Sequence, residues 1–215
     1  MSPVLLFVPT ILQVSYADFP VPNKQDEANR TYWERLGDET IKEKLSRQPV
    51  TNVAKNVVLF LGDGMGVSTV TAARIYKGQS KYNNSGEESV LSWERFPYVA
   101  LSKTYGLDTQ TSDSANSATA YLCGVKANMG TLGVDSTVKA KQCHNDSSAY
   151  VDSIMQWAQD AGKWTGIVTT TAVTDATPAG SYAHSGYRRW QYDVPKGCNA
   201  SDYSPRPTEL VGIPP

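Results

Sequence analysis

Three short runs of small and polar residues could carry chemistry in this sequence. A Gly-x-Gly-x-Gly run at 62–66 holds Asp63 directly after an apolar stretch. A second run surrounds Ser114, and a third places Asp175 and Thr177 two residues apart. A glycine loop can bind an anion such as phosphate, but the Asp63 carboxylate would repel it. A cation between the carboxylate and the anion would remove that repulsion. The three runs therefore suggest oxygen ligands for a metal beside a serine hydroxyl.

Ser114 lies at the predicted N-terminus of a helix, where backbone amides stabilise an alkoxide and a bound phosphoryl group. An ordinary serine N-cap is the alternative, and the pattern alone favours it. A serine nucleophile usually needs a base. The chain has only His144 and His184, and we expect His144 on a surface loop. No Ser-His-Asp order is recognisable, so a metal that lowers the pKa of the serine is the remaining route.

The other candidates also have purely structural interpretations. Asp63 could form an Asp-Gly turn, and Asp175 and Thr177 an Asp/Thr-Pro turn. Two hard oxygens two residues apart nevertheless suit Mg²⁺, and acidic residues at the carboxyl ends of two parallel strands favour a metal site. Arg188 belongs to an Arg-Arg pair that is either solvated or able to hold two phosphate oxygens. Asp113 could orient that guanidinium through a salt bridge.

Strands alternating with helices must position these side chains. Apolar and β-branched runs predict strands at 56–61, 99–105 and 165–171. Helical spacing predicts helices that begin at Thr31, Val67, Ala115 and Tyr150, the last three ended by Gly78, Gly124 and Gly162. Thr31 opens a Thr-x-x-Glu capping box. That first helix is interpreted as an amphipathic packing helix, with an intersubunit arm as the alternative. The alternation indicates an α/β fold with a parallel sheet.

The chain shows several signs of an oxidising, extracellular compartment. Residues 1–17 have the pattern of a secretory signal peptide, with a buried strand as the alternative. Asparagines at 29, 83, 145 and 199 begin glycosylation sequons. Of three cysteines, we expect Cys143 and Cys198 to form a disulfide and Cys123 to remain a buried thiol. A net charge of −1 without clustered Lys and Arg argues against nucleic-acid binding.

Residues 56–66, 113–126 and 168–190 closely resemble alkaline phosphatases, particularly the animal forms. The Lys-Ala-Asn-x-Gly-Thr sequence at 126–131 resembles the family too, and the match runs from about 31 to 201. The resemblance implies a three-layer α/β sandwich with a mostly parallel central sheet. It also implies hydrolysis of phosphate monoesters through a phosphoserine intermediate, with Zn²⁺ and Mg²⁺. A sulfatase-like relative is disfavoured because its Cys-x-Pro-x-Arg context is absent.

The resemblance also implies a role for each candidate residue. Ser114 resembles the serine that is phosphorylated and touches one zinc. Asp63 resembles the carboxylate that bridges this zinc and the magnesium, and Thr177 resembles a magnesium ligand. Asp175 lies where some members have Asp and many vertebrate ones have His, which makes it a ligand or a neighbour of one.

Arg188 resembles the arginine that binds phosphate, and Asp113 the residue that steadies it. Family members are much longer, and further metal ligands lie beyond residue 215. We therefore divide the chain into a signal peptide (1–17), the N-terminal part of the phosphatase domain (18–202) and a divergent Pro-rich tail (203–215).

We expect this fragment to be secreted and inactive by itself. The full-length form is expected to be a homodimer held at the cell surface by a C-terminal lipid anchor that is absent here. The alternative is a non-catalytic secreted product that retains partial metal or phosphate binding, or that dimerises.

Overall fold

The computed structural model describes residues 24–144, 147–191 and 197–198. The predicted signal peptide, the tail from 203 and the sequons at 145 and 199 lie outside the described residues. The chain divides into two compact units. Of the described residues, unit I comprises 56–64 and those from 101 onward, and unit II comprises 24–55 and 65–100.

The described helices follow the predicted positions with altered ends. They are α1 (Lys24–Glu27), α2 (Arg30–Ser46), α3 (Val67–Tyr82), α4 (Ser114–Cys123), α5 (Ile154–Asp160) and α6 (Ala176–Ala179). Short 3₁₀ turns cover Ser92–Arg95 and Ser147–Ala149. Among these helices, none combines the length and the apolar character that a membrane crossing requires.

In unit II, α2 begins one residue before the predicted capping box. Asn29 is its N-cap, and the Asn29 side chain accepts a hydrogen bond from the Thr31 backbone N–H. Of the residues described in α2, none is buried, so its apolar stripe forms no part of a described hydrophobic core. Trp33 is 52% exposed and Leu45 78%. The interpretation of α2 as a packing helix is therefore not supported by the described contacts.

The prediction that Gly78 ends α3 is wrong. The helix continues to Tyr82 and ends at Asn83, which adopts the left-handed conformation at φ 51°. Gly78 is buried inside the helix, where a Cβ would lie 2.3 Å from Ser89 Oγ and 2.4 Å from Gly86 Cα. The glycine therefore serves the close approach of the 84–91 loop to the helix.

In unit I, the short helices pack through small residues around α4. Ala115 lies in a buried cluster with Ala176 and Ala179 of α6. A Cβ on Gly180 would approach Ala118 Cβ to 2.6 Å, so α6 and α4 meet nearly backbone to backbone. A second cluster joins the C-terminal half of α4 to α5 and to Leu59. This packing fixes the N-terminus of α4 relative to the segment that carries Thr177.

The three predicted strands do not form within the described residues. Pairing there is limited to two single-residue antiparallel bridges, Leu132 with Ser185 and Val134 with Tyr150. Side chains of the predicted strands are exposed or only partly buried, with Phe60 at 74%. A strand needs a hydrogen-bonded neighbour, and none of the described segments supplies one. The mostly parallel sheet of the predicted α/β sandwich is therefore not confirmed.

Candidate active site

Ser114 is the first residue of α4, and its neighbours fix that helix terminus. The Asp113 carboxylate caps the helix by accepting hydrogen bonds from the backbone N–H groups of Ala115 and Asn116, both at 3.2 Å. The Asn116 side chain in turn accepts from the Asp113 N–H at 3.1 Å. At the other end, Gly124 takes the left-handed conformation at φ 73°, as the predicted helix end requires. Among the amides of this first turn, the Ser114 N–H is the one that these side-chain bonds leave over within the described residues.

Asp63 connects two hydroxyls that are far apart in sequence. Ser114 Oγ donates to Asp63 Oδ1 at 3.1 Å, and Thr177 Oγ1 donates to Asp63 Oδ2 at 2.9 Å. Thr177 is 2% exposed, whereas Ser114 and Asp63 are half-buried. Two of the residues predicted from sequence, Ser114 and Thr177, therefore converge on the carboxylate of a third, Asp63. We call Asp63, Ser114 and Thr177 the oxygen cluster.

The donor atoms of the oxygen cluster fit a hard cation. All three side chains offer oxygen, which is the ligand type that Mg²⁺ prefers. In the described part of the chain, no Lys or Arg nitrogen forms an ion pair with Asp63, so its charge is not neutralised there by a protein cation. The described residues do not gather three or more His, Cys, Asp or Glu side chains that could hold a metal. The cluster thus fits Mg²⁺ but does not itself supply the nitrogen or sulfur ligands typical of zinc.

Arg188 lies between two carboxylates, those of Asp113 and Asp175. In the sequence, these residues stand close to Ser114 and Thr177 of the oxygen cluster. Its Nη1 is 3.2 Å from Asp113 Oδ2, and its Nη2 is 3.3 Å from Asp175 Oδ1. The Arg188 side chain is 25% exposed, so water and solutes reach the guanidinium. Because Asp113 directly precedes Ser114, this ion pair places a cation near the N-terminus of α4. The guanidinium is held at both terminal nitrogens, which fixes the direction in which it can meet an anion.

Asp175 is itself held by neighbours. Burial raises its pKa, but hydrogen bonds from the Ala176 N–H and the Thr171 hydroxyl, with the Arg188 charge, outweigh burial and lower the pKa of Asp175 overall. Thr171 Oγ1 donates to Asp175 Oδ2 at 3.1 Å. Sequence reasoning placed Thr171 in a strand and missed this contact. The one feature of the sequence that could have indicated this contact is the Thr171 hydroxyl, four residues before the candidate carboxylate of Asp175.

Neither histidine is the hydrogen-bond partner of Ser114 in the structure. The His184 Nδ1 lies 2.6 Å from the Gly133 carbonyl oxygen, and the ring stacks on Tyr150 at 4.3 Å between centroids. Burial lowers the pKa of His184. The expectation that His144 lies on a surface loop is wrong, because it is only 9% exposed and packs edge-on against Tyr150.

The cysteine predictions are confirmed. Cys143 and Cys198 form a disulfide, and Cys123 is a buried free thiol. Burial, with a smaller contribution from the Asp152 charge, raises the pKa of Cys123 to about 12. This thiol is therefore unsuited to nucleophilic chemistry near neutral pH.

Comparisons with known proteins identify the relatives of this chain. The family profile of alkaline phosphatases matches residues 54–208. The tissue-nonspecific alkaline phosphatase of Mus musculus is 53% identical over 195 residues, which are 90% of this chain and 36% of that protein. The Homo sapiens isozyme is 55% identical over 174 residues, 80% of this chain and 33% of that protein. The alkaline phosphatase of Gadus morhua is 50% identical over 82% of this chain and 36% of its own length.

The chain belongs to the alkaline phosphatase family, whose members are hydrolases. It spans about a third of the length of the curated relatives that it matches. Among solved structures, an alkaline phosphatase from the Antarctic bacterium TAB5 aligns at 30% identity with a TM-score of 0.41, over 54% of this chain and 30% of that one.

Proposed function

We propose that this chain carries the nucleophile and the phosphate-binding arginine of a phosphate monoester hydrolase. The observation that carries the proposal is the Asp63 carboxylate, which accepts hydrogen bonds from both Ser114 and Thr177. Beside it, Arg188 is held by Asp113, the residue directly before the serine. A hydroxyl, a carboxylate and a fixed cation together suit transfer of a phosphoryl group to serine.

In the proposed reaction, Ser114 Oγ attacks phosphorus and the bond to the ester oxygen breaks. The serine proton passes to Asp63 Oδ1, which already accepts the hydrogen bond from Ser114 Oγ. A solvent water donates a proton to the departing alkoxide, which becomes the alcohol, and the proton on Asp63 neutralises the hydroxide that this leaves. Arg188 and the Ser114 backbone N–H hold the phosphoryl oxygens as charge develops on them. Water then attacks the phosphoserine, which restores the hydroxyl and releases phosphate.

Zn²⁺ and Mg²⁺ are the proposed cofactors, with Asp63, Ser114 and Thr177 as ligands and Asp175 as a ligand or a neighbour of one. When bound, such cations lower the pKa of a coordinated hydroxyl and stabilise phosphoryl oxygens. Thr177 and Asp63 supply oxygens suited to Mg²⁺. The Asp63 carboxylate also fixes the direction of the serine hydroxyl, which is the part of the activation that the described residues perform themselves.

We further propose that this chain is a secreted glycoprotein. Its full-length form is proposed to be a homodimer that a lipid anchor holds at the cell surface. The disulfide supports an oxidising compartment. Two of the predicted sequons begin at Asn29 and Asn83, and both asparagines are exposed. The proposal includes a signal peptide over residues 1–17, the N-terminal part of the phosphatase domain over 18–202 and a divergent tail over 203–215.

A binding protein without turnover is the second candidate. The observation that favours it is that the oxygen cluster suits Mg²⁺ and the partly exposed Arg188 guanidinium suits phosphate, which is sufficient for binding alone. Such a product would bind Mg²⁺ or inorganic phosphate, or dimerise, without hydrolysing an ester.

Turnover of a chromogenic phosphate monoester by the purified 215-residue chain, with zinc and magnesium added, separates the two candidates. The hydrolase predicts turnover that Ser114→Ala abolishes. Ser117→Ala, on the same helix, is the matched control and should retain turnover. Silence of the wild-type chain at high protein concentration would favour the binding protein, and activity that survives Ser114→Ala would refute the proposed nucleophile.

A further inference from the structure

Segment 127–130 contacts both halves of the proposed phosphate site, although none of its side chains was a candidate for chemistry. It lies in the Lys-Ala-Asn-x-Gly-Thr sequence, to which the proposed mechanism gives no role. Ala127 and Asn128 are each 1% exposed, and Gly130 is also buried. A buried loop that touches two functional side chains is a candidate for setting the distance between them.

Gly130 is bonded to Asp113 on one side and to Arg188 on the other. Its N–H donates to Asp113 Oδ1 at 3.2 Å, and its carbonyl oxygen accepts the Arg188 backbone N–H at 2.7 Å. One residue thus connects, through its backbone alone, the two partners of the ion pair. Asp113 Oδ1 thus accepts three backbone N–H groups, those of Ala115, Asn116 and Gly130. The other carboxylate oxygen, Oδ2, faces the Arg188 guanidinium.

The conformation of Gly130 makes this connection specific to glycine. Its φ is +82°, a region that other L-residues rarely adopt. An added Cβ would find ordinary contacts, 3.5 Å from the Tyr187 ring and 3.9 Å from Ala140 Cβ. The backbone angle, not crowding, is therefore what a side chain at this position would disturb.

A second contact joins the same segment to the first turn of α4. Asn116 Nδ2 donates to the Ala127 carbonyl oxygen at 3.2 Å, while Asn116 Oδ1 accepts from the Asp113 N–H. Asn116 is 2% exposed, so water does not replace either bond. Segment 127–130 therefore holds the nucleophile's helix at one end and the arginine at the other.

We propose that segment 127–130 is a positioning element that fixes the Arg188 guanidinium relative to Ser114, with Gly130 as its central residue. The inference rests on the proposed function, in which Arg188 binds the phosphoryl oxygens. Gly130 touches no substrate in this scheme. It acts through Asp113 and Arg188, by keeping the guanidinium in the one orientation that faces the α4 N-terminus.

Two measurements on the full chain test the proposal. The first is NMR of the ligand-free protein, in which restricted rotation about the Arg188 Cζ–Nε bond reports that the guanidinium is held. The second is the dissociation constant for inorganic phosphate, measured by calorimetry. Gly130→Ala should free the guanidinium and weaken phosphate binding by about tenfold, because small displacements of a positioned group reduce binding and rate strongly. Gly130→Asn keeps both backbone groups and tolerates positive φ, so it should restore most of the loss.

Matched variants separate positioning from general damage. Gly162 has φ +69° and nothing within 4 Å of an added Cβ, so Gly162→Ala introduces the same kind of backbone strain without touching the segment. It should leave the guanidinium held. Asn116→Ala removes the second contact and should loosen the guanidinium even if Gly130→Ala does not fold.

Each result has one meaning. A guanidinium that stays held, and phosphate affinity that stays unchanged, in folded Gly130→Ala and in Asn116→Ala would overturn the positioning role. Equal losses in Gly130→Ala and Gly162→Ala would overturn it as well. If the wild-type chain and Arg188→Ala bind phosphate equally, the proposed phosphate site fails, whereas the NMR comparison still decides whether segment 127–130 holds the arginine.

Discussion

Replacing Thr177 by valine removes one hydroxyl from the oxygen cluster, together with its hydrogen bond to Tyr121. Thr177 is 2% exposed, and its Oγ1 donates to Asp63 Oδ2 at 2.9 Å. Valine has a similar shape, so the packing of α6 on α4 should survive. The valine methyl cannot donate, so Asp63 Oδ2 keeps one partner fewer among the described residues.

The size of the effect follows from two opposed contributions. A hydrogen bond to a charged acceptor contributes about 1.5–3 kcal/mol, and an additional buried methyl group offsets about 0.8 kcal/mol. We therefore expect Thr177→Val to lower the free energy of unfolding by about 1–2 kcal/mol. With a urea slope of about 2 kcal/mol/M, the denaturation midpoint falls by about 0.5–1 M.

Urea unfolding followed by tryptophan fluorescence measures this shift. Thr137→Val is the matched control, because Thr137 also donates its hydroxyl to a carboxylate, that of Asp135, but on an exposed turn. That control should change the free energy of unfolding by less than about 0.5 kcal/mol. Equal shifts in the two variants would show that the Thr177–Asp63 contact is no more important than a surface bond, which would refute the convergence of the oxygen cluster.

Three further predictions follow from the same structure. Cys123, with a pKa raised to about 12, should resist alkylation by iodoacetamide at pH 7.5 until urea unfolds the chain, and fast labelling of the native protein would contradict its burial. Because burial lowers the pKa of His184, the unfolded state binds the proton first; the stability from the neutral ring is full above about pH 6.5 and is lost as pH falls toward the folded pKa. His184→Gln should flatten that decline in unfolding free energy, and an unchanged pH dependence would exclude His184 as its source. Mg²⁺ should raise the melting temperature in a concentration-dependent way that Asp63→Asn abolishes, and equal stabilisation of both proteins would place the ion elsewhere.

Local signals predicted α4 correctly because the residues that begin and end it act on their own backbone. Asp113 caps the first turn, and Gly124 supplies the left-handed residue after the last. The disulfide and the free Cys123 were predicted from the apolar surroundings of one cysteine, and the structure confirms both.

Tertiary contacts explain where the sequence prediction failed. Gly78 has the local signature of a helix end, but its missing side chain admits the Ser89 loop instead. The 56–61 run is apolar and β-prone, yet a strand forms only against a neighbour, and within the described residues it has none. Strand pairing depends on a partner segment that is distant in sequence, and the hydrophobic periodicity of one segment does not indicate whether that partner is present.

The candidate site shows the same division. Spacing alone indicated that Asp175 and Thr177 belong to one site. The contact of Asp63 with Ser114 spans 51 residues, and it was expected from residue chemistry, as a carboxylate for a metal beside the serine, and from the family resemblance. Gly130 acts through its backbone N–H and carbonyl, so no side-chain chemistry pointed to it. Functional contacts made by backbone atoms are the ones that a search for reactive side chains misses.

The central claim is that the hydroxyl of Ser114 accepts a phosphoryl group beside Asp63. It is tested most directly by incubating the 215-residue chain with a phosphate monoester, zinc and magnesium, quenching in acid, and locating phosphate by peptide mass spectrometry. Phosphate is expected on Ser114 alone, and none is expected in Ser114→Ala. Phosphate on another residue, or an ester hydrolysed by the chain with no phosphate ever on Ser114, would contradict it.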